Sequence, residues 1–466
     1  LGAAGTAAAS TNTDNASAAE FSETEPDRAV AFPGADGAGK FATGGRGGEI
    51  YHVTNLNDSG TGSLRDAVSK GRRIVVFDVG GTINLKSDLS ISGNISVMGQ
   101  TAPGGAGVTV RNGKLAMAGD NIIVRYMTSR PGEKGSGEYD AWGGSKGSNS
   151  IIDHCSIGWA NDEQFGLYSS RNMTMQYSII GPANCLSTHS KGSHGFGPMF
   201  GAASNTWHHN LICHNMSRNF RGKVEREQPN DYVNNVVYGW GGQTAYGTFG
   251  HLNYVNNYFK KSISSRNGDN FGSLDSGSNY ETTKFFMEGN KMTDRKGNAA
   301  NPMSTNNWNG GLGLNRSLNY YESHYRASEH FPIISNGIDV SAAKNPESAD
   351  AAFNNVVSYA GAAVNLDSRN KIDAEVLNDA YTGSGSLSGG LENSKVTADV
   401  RSKYSIKYVN YDEYYPKSVL KKEIIDSDND GMPDDWEIAR GLNPNDSSDA
   451  NGYYIGGAYT NIEHYC

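Results

Sequence analysis

Charge is scarce in this chain. Only 19% of its 466 residues are Asp, Glu, Lys or Arg, and they leave a net charge of −9. A field of that sign repels polyanions, so nucleic acid is excluded as a partner. An acidic polymer must instead be held by a local basic patch or by bound cations. No apolar run approaches the length that crosses a bilayer, which excludes a membrane partner of that kind. Cysteine is rare too, and Cys155, Cys185, Cys213 and Cys466 fit neither a zinc spacing nor a dense disulfide framework. The charged start and apolar stretch of an export signal are missing, although Leu1-Gly2-Ala3-Ala4 suggests the remnant of one. What abounds is glycine, with 59 residues. Glycine weakens helices and supplies turn dihedrals, so the mixture favours an all-β chain with many turns.

The organising pattern is a short strand with Asn or an equivalent polar residue at a near-fixed place. It is read in Asn121 to Met127, Ser150 to Ser156, Asn172 to Ser178, Asn205 to Leu211, Asn230 to Val236 and Leu252 to Tyr258, with a weaker copy from Lys284 to Asn290. Taking Val124, Asp153, Met175, His208, Val233, Val255 and Met287 as equivalent gives irregular steps of 22 to 33 residues. Periods of this size mean a solenoid, and strand-rich coils without helical spacing mean a parallel β-helix. Asn210, Asn235, Asn257 and Asn290 fall at one position and are expected to form a side-chain ladder. Cys155, Cys185 and Cys213 are expected as a buried stack of free thiols. An open solenoid needs caps, and Ser63 to Val68 reads as a short helix at the N-terminal end. Phe353, Val356, Val357 and Ala360 carry helical spacing in a C-terminal packing segment. The expected division is a disordered tail over 1–29, the β-helix over 30–345, the packing segment over 346–420 and a small calcium-loop module over 421–466.

That module holds the sharpest local motif, from Asp426 to Glu437. Asp426, Asp428, Asp430, Asp434 and Glu437 carry oxygen donors at calcium-loop spacing, and Gly431 permits the sharp turn. A solvated acidic loop is the plain alternative, but the full spacing favours a structural calcium ion. Gly34 to Lys40 mimics a phosphate-binding loop, yet Phe41 stands where Ser or Thr is needed, and that reading is rejected. His208 and His209 alternate faces of a strand, so they cannot share one metal.

Two further clusters arrive from neighbouring coils. Asp140, Asp153, Asp162 and Glu163 are carboxylates; Lys191, Arg218, Arg221, Lys223 and Arg226 are cations. Side by side on one wall they suit an acidic sugar polymer, with calcium bridging carboxylates. Ordinary ion pairing between coils explains them equally well.

With these residues, the region from about Phe32 to Lys260 resembles polysaccharide lyase family one, the pectate lyases. Ile152-Asp-His-Cys155 is similar to the family's Trp-Ile-Asp-His segment, and His189-Ser-Lys191 to its His-Asp-Lys element. Ser217 to Lys223 is similar to its Arg-x-Pro-Arg-x-Arg segment, with Phe220 for the proline and Lys223 for the last arginine. The opening Phe32-Pro-Gly-Ala and the late calcium loop resemble bacterial secreted members. The resemblance implies a secreted, monomeric enzyme with a right-handed parallel β-helix. It implies Ca2+ on Asp140 and Asp162, with Glu163 substituting for a third ligand where Gly166 stands. It implies Arg218 as base, Lys191 on the substrate carboxylate, and Arg221 and Lys223 as further polygalacturonate-binding residues. The rival readings are a β-helix hydrolase, which needs two carboxylates flanking the bond, a lyase for methylated pectin with an aromatic groove, and a non-catalytic carbohydrate-binding solenoid. Trp142, Trp159 and Trp240 are assigned to packing rather than to such a groove.

Overall fold

Short apolar runs bounded by Asn and Gly stack as parallel strands, three to a coil. In the computed structural model, residues 29–466 are described apart from 106, 135, 225–226, 267–269, 275–280, 314–321 and 421–424. Residues 1–28 of the expected tail, and Arg226, therefore lie outside the described residues. Among the described residues, the first wall has ten strands, from Glu49–Val53 to Lys284–Glu288, and the second has nine, from Leu89–Ile91 to Leu312–Gly313. The third holds Val79–Asn84 to Lys291–Thr293, with Val419–Leu420 added antiparallel to Val79–Asn84. Coil-to-coil pairings are parallel, as in a β-helix.

The inward residues of the first wall align as Val124, Ile152, Met175, Trp207, Tyr232, Tyr254 and Met287. The expected equivalences are thus one residue late at Asp153, His208, Val233 and Val255. A slip of one turns an inward position outward, because strand side chains alternate. Inside, Trp142, Phe165, Phe200, Trp207, Phe220 and Tyr232 join one continuous core. Each fully buried apolar side chain there stabilises the coil by about 1.5–3 kcal/mol. Trp142, Trp159 and Trp240 are all buried, as packing residues should be.

The turn from the first wall to the third carries the asparagine ladder. Asn210 Nδ2 donates to Asn235 Oδ1 (2.9 Å), Asn235 to Asn257 (3.3 Å), and Asn257 to Asn290 (2.9 Å). Asn307 extends it by one rung. Each side chain also accepts the backbone N–H of the residue below and donates to a carbonyl, which is how buried amides avoid a penalty. The three thiols, by contrast, do not stack. They are free and buried, but Cys155 follows a first-wall strand, Cys213 ends a third-wall strand and Cys185 sits in a loop, so they enter three separate apolar clusters.

Leu64–Val68 forms the N-terminal cap helix, with Ser63 Oγ accepting from Asp66 N–H and Leu64, Ala67 and Val68 closing the core. The segment from Ala38 to Gly45 crosses the outer face of the first wall. Ala38 and Gly39 donate to Thr206 and Thr174, and Gly45 donates to Ser96. A Cβ on Gly39 would fall 2.0 Å from the Ser150 carbonyl, so close approach rather than phosphate binding explains that glycine. Helices Ala349–Tyr359 and Lys371–Thr382 cover the third wall, where Phe353, Val356, Ile372 and Val376 meet Leu211, Val236, Tyr238 and Tyr258. A buried ion pair, Arg130 with Asp373, anchors the second helix. No helix of the described residues is long and apolar enough to cross a membrane.

Candidate active site and a second carboxylate cluster

The loops that lead from the third wall into the second wall stack on one another and bring distant residues together. Ala141 N–H binds Glu163 O, Phe196 N–H binds Asp162 O, and Gly197 N–H binds Ser217 O, so the segments around 140, 162, 196 and 218 form successive rungs. Carboxylate oxygens of Asp140, Asp162 and Glu163 lie within 4.8 Å of one another. Donors on one calcium ion sit about 2.3–2.6 Å from it, so oxygens on opposite sides are about 5 Å apart, and this trio fits. Burial pushes Asp140 up to about 6; Lys114, 3.5 Å away, opposes this and the charge on Asp162 adds to it. Gly166 lies in the strand Phe165–Leu167, and Glu163 is the residue that joins the two aspartates.

Arg218 reaches back across the rungs. It forms an ion pair with Glu163, donates from Nε to Tyr246 Oη (2.8 Å), and sets its guanidinium 4.6 Å from the Phe196 ring centroid. Its backbone is left-handed, with φ of +55°, which lifts the side chain out of the coil just before the strand Arg221–Val224. In that strand Gly222 and Val224 are buried, while Arg221 and Lys223 share the outer face. Arg221 lies over Tyr246 (5.4 Å) and Lys223 over Tyr168 (5.1 Å). Phe220 points the other way and stacks on Tyr232 at 4.1 Å in the core. Lys191 is exposed on the loop above Glu138, and its backbone N–H donates to His189 Nδ1 (3.1 Å).

That hydrogen bond has a chemical consequence. In the neutral His189 ring the proton sits on Nε2, which faces Asp162 Oδ1 at 3.8 Å and Glu138 Oε1 at 3.7 Å. His194 stacks on His189 at 3.9 Å and approaches Asp162 at 3.4 Å. Burial lowers both rings, and His189 helps to bring His194 down to about 4, so both are neutral at pH 7. With Nε2 protonated, His189 has no lone pair for a cation, and the two rings buttress Asp162 instead. Sequence reasoning missed this support, as it missed Tyr246, although His189 stood inside the His189-Ser-Lys191 element.

Asp153 does not belong to the cluster. It ends a first-wall strand, where Arg125 (2.9 Å), His154 (2.8 Å) and Gln176 (2.8 Å) bind it. Burial alone would raise its carboxyl, but His154 and Arg125 hold it at about 2. His208 is buried and His209 stacks on Tyr177 at 4.8 Å, in an aromatic column that also includes His154 and Tyr126.

A second carboxylate cluster forms near the C-terminus. Asp426, Asp428 and Asp430 converge, and Asp430 also meets Glu437 and Asp449, each set within 4.8 Å. Asp434 is elsewhere: its carboxylate accepts the backbone N–H and hydroxyl of Ser427, both at 2.7 Å, because it opens the helix Asp434–Ile438. Asp449 stands in the cluster, and no motif spacing pointed there.

No family-level sequence model matches the chain. The chain is 34% identical over 440 residues to a protein named "Probable pectate lyase C" from Aspergillus flavus, covering 91% of each. Its namesake from Aspergillus fumigatus is 44% identical over 236 residues, 49% of this chain and 54% of that protein. These relatives are fungal. The crystal structure of jun a 1, the major allergen from cedar pollen, aligns with a TM-score of 0.52 at 18% identity, over 70% of this chain and 92% of that one. At that identity the likeness is one of fold.

Proposed function

This chain belongs to the pectate lyase family, and we propose that it cleaves 4-linked galacturonan outside the cell by β-elimination. The observation that carries the reading is the juxtaposition of the Asp140, Asp162 and Glu163 carboxylates with Arg218, Arg221 and Lys223 on stacked coils. Hard oxygen donors in that spacing favour calcium on the three carboxylates, which would supply charge neutralisation for the C6 carboxylate of the uronate.

Lys191, exposed on its loop, adds a cation for the same carboxylate, while Arg221 and Lys223 hold neighbouring residues of the polymer. Neutralising the carboxylate acidifies the C5 proton and stabilises the enolate-like intermediate. Arg218 removes that proton. The electron pair left at C5 forms the C4–C5 double bond as the C4–O bond breaks, and the departing oxygen takes a proton from solvent. Arginine is a poor base, with a usual pKa above about 12. Its pairing with Glu163 must open first. An alkaline optimum follows.

The hydrolase reading is disfavoured by the same geometry. A hydrolase needs two carboxylates flanking the bond, whereas these three stand together in one cluster beside Arg218. Mass analysis of the products separates the two. Elimination gives an unsaturated end one water lighter than the hydrolytic product, and saturated ends alone would exclude the lyase.

A further inference from the structure

The C-terminal carboxylates form a buried, unsatisfied site. Glu437 is fully buried, and among the described residues neither of its carboxylate oxygens has a hydrogen-bond partner. The same holds for both oxygens of Asp428, for Oδ2 of Asp430 and for Oδ1 of Asp449, with Asp430 at 2% exposure and Asp449 at 6%. The remaining oxygens each accept one backbone N–H, which leaves a lone pair on each. Asp430 Oδ1 accepts Met432 N–H (2.9 Å), Asp449 Oδ2 accepts Asn443 N–H (3.1 Å), and Asp426 accepts the N–H groups of Asp430 and Gly431 (both 3.1 Å). The loop is therefore rigidly placed, yet its free oxygens point at one another. Buried anions are tolerated only when a positive partner is present, and no Lys, Arg or His among the described residues forms an ion pair with Asp428, Asp430, Glu437 or Asp449.

The loop is also built into the start of the solenoid. Gly431, at φ of +92°, has Ile50 and Val76 of the first two coils within 3.4 Å of where a Cβ would lie. Met432 enters a cluster with Ile74, Val76, Met98, Ala450 and Ile462. Asn451 Nδ2 donates to Gly48 O (3.0 Å), and Arg46 pairs with Glu463 at 2.7 Å with both side chains nearly buried.

We propose that Asp426, Asp428, Asp430, Glu437 and Asp449 bind one calcium ion, and that this ion staples the C-terminal segment to the first coils of the β-helix. Five carboxylates offer the six to eight oxygens that calcium takes, whereas magnesium demands a smaller octahedron and retains its water. Asp449 takes the place that the loop spacing gives to Asp434. The role is stabilising, and it stands whether or not the chain is a lyase.

The test uses the full chain, stripped with a chelator, and scanning calorimetry with calcium or magnesium chloride and no substrate. Calcium should raise Tm by several degrees in the parent, in Asp434→Asn and in Asp140→Asn, and magnesium much less. Glu437→Gln and Asp449→Asn should lose that shift. Should either variant fail to fold, hydrogen exchange on the parent gives the second readout, with calcium slowing the amides of 426–437 and 49–53. A calcium shift that survives Glu437→Gln and Asp449→Asn, one abolished by Asp140→Asn, or unchanged exchange in both segments would overturn the proposal. Uronate elimination, followed separately, reports on the other site alone.

Discussion

Arg218 and Glu163 are 55 positions apart in sequence, and stacking of the coils makes them an ion pair. The pair joins the residue placed as base to one placed as a metal ligand, so the two functions cannot be independent. Arg218→Ala should lower kcat by about 10²–10⁴-fold, the range for loss of a positioned base, while leaving the Kd for oligogalacturonate within a few-fold. Single-turnover rates with a separate binding titration check this. Near-parent turnover in the variant would remove Arg218 as base.

Glu163→Gln keeps the shape and removes the charge. If Glu163 is a calcium donor, the calcium concentration for half-maximal activity should rise about 10–100-fold, with turnover recovering at saturating calcium. A reduced kcat with an unchanged calcium requirement would instead confine Glu163 to holding Arg218.

The ladder is a test of the fold rather than of the chemistry. Asn235→Ala removes the acceptor of the Asn210 backbone N–H and of Asn210 Nδ2, and one donor to the Trp207 carbonyl. Unsatisfied buried groups cost about 1–3 kcal/mol each, so urea denaturation should show a loss of about 3 kcal/mol. A loss below about 0.5 kcal/mol, the range of neutral surface changes, would mean that the ladder is incidental.

Asp231 supplies a pH-dependent term. It is buried between Thr206, Asn253 and the N–H of Ala342 (2.6 Å), and burial pushes its carboxyl up to about 7 despite those hydrogen bonds. Its folded value lies above the unfolded value of about 3.9. Its contribution is therefore full below about pH 4 and lost as pH rises through 7. Subtracting the stability of Asp231→Asn from that of the parent should give a difference that falls between pH 4 and pH 8. A difference that rises with pH would contradict the assignment.

The parts of this molecule that were legible in the sequence are those written in local repeats. The strands announced themselves by apolar runs beside Asn, the ladder by four asparagines at one coil position, and the cap helix by Ser63 before an apolar turn. Register was harder, since Ile152 and Asp153 both follow a strand pattern and only pairing across coils shows which side chain is inside. Asp153 falls outside the cluster because it ends a first-wall strand, and its spacing from Asp140 and Asp162 does not show which wall it occupies. Asp140, Asp162 and Glu163 came from motif spacing and do meet. The supports around them, His189, His194 and Tyr246, depend on how loops of unequal length fold back, which no period encodes. Asp449 is the clearest omission: it lies twelve residues beyond Glu437, and only the packing of the segment on Ile50 and Val76 brings it round.

The most direct measurement follows ultraviolet absorbance of unsaturated uronate during incubation with polygalacturonate, with calcium and with a chelator, for the parent and Arg218→Ala. The mechanism predicts a rise with calcium, strong suppression by the chelator, and almost none in the variant. Polymer cleaved without that absorbance, or a rise equally strong in the variant, would contradict it.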